Sequence, residues 1–195
     1  MYRRDLPEPS KEFVVALGEQ LRQRVSRELR AEPRVGGSLF RIANDLRFAR
    51  DKQPYKAYLD VAFWEGSAGP RTDPALILRI TPTEIHLGAG VFALTGVALG
   101  RYRKALRDPD LAADLDTRVT ALLADGVELS EPTRKRPPAG LDLPAAAARY
   151  AQRDGFHVVR RYRRPAAVSS GRLVSWCADR LAPFAPVHEW LTAHR

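Results

Sequence analysis

A single cysteine, Cys177, stands in a chain of 195 residues, which rules out an internal disulfide framework. No stretch reaches the roughly 18 consecutive apolar residues of a membrane span. The opening MYRRDLPEPSKEF holds no apolar signal-peptide core. No repeat and no low-complexity tract is present. The phosphate loop GxxxxGK[ST], the zinc signature HExxH and paired CxxC motifs are all missing. His86, His157, His188 and His194 share no ligand spacing, so no metal is expected. The GAG at Gly88–Gly90 is a fragment of a dinucleotide fingerprint without its βαβ unit, and VSSGR lacks a nucleophile elbow. A cytoplasmic protein without membrane contact or cofactor is expected, and no reaction class is named.

Apolar residues make up 45% of the chain, enough for a sizeable core and far from a disordered composition. The length suits one domain, 1–195. Net charge is +9, and only five of the 32 basic side chains are lysine. A basic surface attracts phosphate-bearing partners. GC-rich coding produces the same arginine bias with no nucleic acid involved, so charge alone is weak support for nucleic-acid binding.

Along the chain, Phe13, Leu17, Leu21, Val25 and Leu29 repeat every fourth residue. They predict a packing helix from Ser10, its N-cap, to Ala31, stopped by Pro33. The period then changes to two. Phe40, Ile42, Leu46 and Phe48 are expected on one strand face, with Arg41, Asp45 and Arg47 on the other and a bend at Asn44. In YKAYLDVAFW, Tyr55, Leu59, Val61 and Phe63 oppose Lys56, Tyr58 and Asp60. ALILRI and EIHLGAGV add two strands joined at Thr81-Pro82-Thr83. Two helices follow, the second capped by Asp108 before Pro109, striped by Leu111, Leu115, Val119 and Leu122 or Leu123, and stopped at Gly126. After the Pro-rich linker at 130–144 come a short Ala-rich helix, a strand FHVVRRY, and two closing helices. The expected class is α+β: an antiparallel sheet of about four or more strands, with helices packed on one face.

Its polar face carries the candidate chemistry. Arg41, Asp45, Arg47, Lys56, Tyr58, Asp60, Arg79 and His86 should project together. Guanidinium forks grip phosphate or carboxylate at two points, and a neighbouring Asp orients them. Tyr58 could supply a hydroxyl, and His86 a proton donor or acceptor. A solvated sheet face is ordinarily polar too, with opposite charges paired across strands, so Arg47–Asp60 or Arg41–Asp45 pairs would serve architecture alone.

The stretch GGSLFRIANDLRFARDKQPYK resembles the signature of a widespread family known as domain of unknown function 2461. Gly36, Gly37, Phe40, Arg41, Ile42, Asp45, Arg47, Phe48, Asp51, Lys52, Pro54, Tyr55 and Lys56 match its pattern. HLGAGV is similar to the family's Gly-x-Gly strand, KRPPAGLD to its Lys-Arg-x-Pro-x-Gly element, and PVHEWL to its close. The chain departs at Asn44, commonly basic in that family, and at Ala43, often aromatic. The resemblance implies a compact α+β fold and no established activity. Its charged motif fits two roles. Asp51 could cap a turn that Pro54 stiffens, or the charges could line a pocket.

The leading expectation is therefore a site for an anionic or phosphorylated small molecule, drawn from Arg41, Asp45, Arg47, Asp51, Lys52, Lys56, Tyr58 and His86, with Lys135 and Arg136 closing from the linker. The alternative is a nucleic-acid-binding accessory protein that uses RRYRR (160–164) and TRKR.

Overall fold

The computed structural model describes residues 8–43 and 55–195. The first helix, α1 (Glu8–Arg24), buries Val14, Leu17, Gly18 and Leu21, spaced i, i+3, i+4 and i+7 along one face. It stops earlier than the apolar repeat predicts, and Ser10 lies inside it. Tertiary contacts claim the groups that would continue the helix. The Ser26 hydroxyl donates to Glu65 at 2.6 Å, and the Arg30 N–H donates to the Trp64 carbonyl at 2.8 Å. Leu29 is buried nonetheless, from a turn rather than a helix.

Three strands form the first half of the sheet: β1 (Leu59–Trp64), β2 (Ala75–Ile80) and β3 (Glu84–Gly90). The chain then leaves through α2 (Gly96–Arg107) and α3 (Pro109–Ala124). Asp108 caps α3 as expected, its carboxylate accepting from the N–H groups of Asp110 and Leu111 at 3.0 and 3.1 Å. At the other end Gly126 takes φ +79, and Val127 and Gly126 return their N–H groups to Leu122 and Leu123, which closes the helix in a Schellman turn. A two-residue β4 (Glu128–Leu129) and the single-turn α4 (Ala148–Ala151) lead into β5 (His157–Arg163). The chain then runs through α5 (Leu173–Leu181) and α6 (Ala185–Ala193).

The five strands make one antiparallel sheet in the order β1-β2-β3-β5-β4. The class is α+β. Alternation divides the sheet cleanly. Val61, Phe63, Leu76, Leu78, Ile85, Leu87, Ala89 and Val158 share one buried core with apolar residues of α1, α2, α3, α5 and α6. Cys177 belongs to that core, and burial pushes its thiol up to about 12. Among the described residues, no helix is long and apolar enough to cross a membrane.

The predicted first strand differs in two respects. Residues 44–54, which include Asp45, Arg47, Asp51 and Lys52, lie outside the described residues. What precedes them meets β1 in isolated bridges, Leu39 to Val61 and Arg30 to Trp64, with the Phe40 N–H donating to the Asp60 carbonyl and the Ala62 N–H to the Ser38 carbonyl. The facing is also shifted by one. Leu39 is the core residue, whereas Phe40 packs with Ala62, Trp64, Ala75 and Ile77 on the opposite face. Tyr55, expected in the core set, is 51% exposed.

Candidate functional site

On the face away from the helices the register aligns three rows. Asp60, Arg79, His86 and Arg161 form the first, Ala62, Ile77, Gly88 and Val159 the second, and Trp64, Ala75, Gly90 and His157 the third. The first and third rows stand about 13 Å apart, four residues at a strand's rise. A concavity of about 900 Å³ lies over these rows. That is within the range of small-molecule sites.

Its charged end is built on β1 and β2. Arg79 grips Asp60 at two points, Nε–Oδ1 2.6 Å and Nη2–Oδ2 3.0 Å. The hydrogen bond to Asp60 raises the Arg79 pKa above the ordinary arginine value, against the opposing effect of burial. The same guanidinium lies 4.0 Å from the centre of the Tyr58 ring, and the Lys56 ammonium lies 5.4 Å from it. His86 Nε2 is 2.8 Å from Glu84 Oε2.

The other end is aromatic. Phe92, 48% exposed, sits 6.2 Å from the Phe40 ring and 6.0 Å from the His157 ring. Arg71, from the loop between β1 and β2, reaches within 5.5 Å of the Phe40 ring. Burial, aided by the charges of Arg79 and Arg153, lowers the His157 pKa below the usual histidine value. Along the β4 edge, Arg161 pairs with Glu128 at 2.9 Å, and Ser130 and Glu131 complete the lining.

The lining is mixed in charge. It holds Lys56, Arg71, Arg79 and Arg161 against Asp60, Glu128 and Glu131. Asp60 and Glu128 are each bound by an arginine of the same wall. Lys56 and Arg71 make no ion pair among the described residues, and Glu131 stands at the far edge of the sheet.

The family described as "Conserved hypothetical protein (DUF2461)" matches residues 1–190, nearly the whole chain. The chain belongs to this family. No curated protein and no solved structure matches it.

In this DUF2461 member, three of the sequence-predicted site residues, Lys56, Tyr58 and His86, line the concavity together with Asp60 and Arg79. Arg41 is exposed and does not line it. Asp45, Arg47, Asp51 and Lys52 are outside the described residues. Asp60, offered as a partner for Arg47, is held by Arg79. Lys135 and Arg136 are exposed and absent from the lining, although their linker contributes its first two residues, Ser130 and Glu131. Within RRYRR, Arg161 bonds Glu128, Arg164 bonds the Pro82 carbonyl, and Tyr162 packs edge-on against Trp176. Sequence reasoning missed Arg71, Phe92 and His157. Arg71 sat in a stretch read only as loop. His157 opened a strand whose place beside β3 no local pattern reveals.

Proposed function

We propose that this DUF2461 protein binds a small anionic ligand, phosphorylated or carboxylated, on the polar face of its sheet. The supporting observation is the convergence of Lys56, Tyr58, Arg79 and His86 at one end of the concavity, with the Lys56 ammonium unclaimed by any described carboxylate. Lys56 supplies the free charge. Arg79, already oriented by Asp60, presents its remaining N–H groups. Tyr58 holds both cations over its ring face and offers a hydroxyl. His86 stands one strand further in and is tethered by Glu84. Such a group binds an anion by charge and hydrogen bonding, and no reaction is assigned to it.

The test is titration of the intact chain with inorganic phosphate and pyrophosphate, followed by thermal shift and calorimetry. Pyrophosphate should stabilise the protein, and Lys56→Ala should weaken its binding about tenfold, the weight of one charge-assisted contact. Equal binding by wild type and variant, or no binding by either, overturns the reading. Binding of mixed-sequence DNA that survives Lys56→Ala and falls steeply with salt would move the function to the arginine-rich exterior instead.

A further inference from the structure

We infer that the ligand joins its anionic group to a flat heteroaromatic ring, as a nucleoside phosphate does, and that Phe92 is the surface on which that ring stacks. This rests on the anion-binding reading above and specifies its ligand class.

Phe92 is a large apolar side chain held out into the concavity by a backbone that has little freedom to withdraw it. Val91 N–H donates to the Phe156 carbonyl at 2.8 Å, Ala93 N–H to the Arg71 carbonyl at 3.3 Å, and Leu94 N–H to the Asp154 carbonyl at 2.6 Å. Gly155, at φ +156, lets the neighbouring chain approach so closely that a Cβ there would stand 2.8 Å from the Val91 carbonyl oxygen. The segment is therefore clamped from both sides. Close to half of the Phe92 side chain is left in water, beside the rings of Phe40 and His157, where a bound ring would bury it.

The surroundings suit a ring. Phe40 meets Phe92 edge-on and closes one side, and Arg71 lies beside Phe40, where a guanidinium plane can cover a second face of a bound ring. His157 closes the other side. Its depressed pKa keeps the imidazole neutral at pH 7, with one nitrogen donating and one accepting, and among the described residues its ring makes no hydrogen bond. A ring-edge amide or amine could pair with it. Ile77 and Val159 form an apolar floor toward the row that holds Arg79 and His86. The order is aromatic wall, apolar floor, charged end, which matches an amphipathic anion rather than a bare one.

The experiment compares adenosine 5'-monophosphate, ribose 5-phosphate, adenosine and pyrophosphate by calorimetry on wild type, Phe92→Ala and Lys56→Ala. The expected result is at least tenfold tighter binding of the nucleotide than of ribose 5-phosphate in wild type, the range that one base–aromatic stack supports. Phe92→Ala should erase that preference and leave ribose 5-phosphate unchanged. Equal affinity for the two phosphates, both weakened by Lys56→Ala, overturns the ring inference alone. Binding of adenosine as tight as the nucleotide overturns the anion reading. A nucleotide preference that persists in Phe92→Ala removes the assignment to Phe92. Because Phe92 is half exposed, its truncation leaves the core intact, and a second variant, Phe92→Leu, keeps the bulk and removes only the ring.

Discussion

His188 shows how burial sets a protonation state and, through it, the acid side of stability. The ring is 1% exposed on α6, its Nε2 is 3.4 Å from Glu65 Oε2, and its Nδ1 has no partner among the described residues. Burial lowers its pKa from 6.5, with Arg195 adding to the effect while Glu65 and Glu189 oppose it. His157 is shifted the same way. A histidine kept neutral in the fold takes up a proton more readily once unfolded. Below about pH 6.5 the unfolded chain therefore binds more protons, and stability falls as pH falls toward the folded pKa values. Carboxylates such as Asp154, held below the ordinary 3.8 by Arg134 and Arg103 against the effect of burial, act only in stronger acid. Thermal melts should thus show a melting temperature that declines between pH 6.5 and 5, and His188→Gln should flatten that slope while lowering stability at pH 7.5. A slope unchanged in both His188→Gln and His157→Gln would disprove the assignment. Cys177 makes a simpler case. Buried and pushed up to about 12, its thiol should resist alkylation at pH 8 in the native protein and react at once in denaturant, as mass spectrometry would read.

Elements are where the sequence was most and least legible. Strict alternation in β1, β2 and β3 separates core from concavity correctly, and carried back before β1 it put Lys56 and Tyr58 on the face of Asp60, Arg79 and His86. The Asp108-Pro109 start and Gly126 stop of α3 were equally readable, because caps are local chemistry. The pattern misled where two apolar residues adjoin. Leu39 and Phe40 permit either facing, and long-range pairing with β1 decides between them, through the bonds from Phe40 to Asp60 and from Ala62 to Ser38. The helical repeat ran past Arg24 because Leu29 is buried whether or not its segment is helical. The β3–β5 seam was invisible for the same reason, being a contact between distant segments. That seam also explains the glycine of the GAG motif. A Cβ on Gly88 would stand 2.0 Å from the Val158 carbonyl oxygen, and a strand backbone cannot move aside as a side chain can. Gly88→Ala should therefore destabilise the protein by about 3 kcal/mol, the upper range for overpacking. Gly100→Ala is the control, since nothing lies near a Cβ there. Its helical position should make it neutral or slightly stabilising. Equal denaturation midpoints for the two variants would exclude a tight seam.

At the scale of the whole molecule, the Pro-rich stretch read from sequence as a linker is tied to the sheet at its beginning. Ser130 N–H donates to the His157 carbonyl, and Arg134 N–H to the Gln152 carbonyl. Arg153, only 6% exposed, directs Nε and Nη2 to the Ser130 carbonyl at 2.9 and 2.6 Å and its remaining arm to the Arg149 carbonyl. Burial lowers its pKa, yet an arginine stays charged at any pH the fold survives. One buried cation thus joins α4, the linker and the edge of the concavity. Replacing Arg153 with Ala leaves the Ser130 carbonyl without its two-point partner and opens the space the side chain filled, a loss of about 2–3 kcal/mol. Arg153→Lys keeps the charge but not the fork, so it should recover only part. The distinguishing readout is hydrogen exchange. Amides of Ser130 and Arg134 should exchange faster in Arg153→Ala, while those of β1 and β2, far from the tether, keep their order of protection relative to one another. Pyrophosphate binding at Lys56 should persist, because that end of the concavity is built on the opposite edge of the sheet. A uniform rise in exchange across all strands would mean that Arg153 supports the global core instead, and the linker's attachment would then rest on its backbone bonds alone.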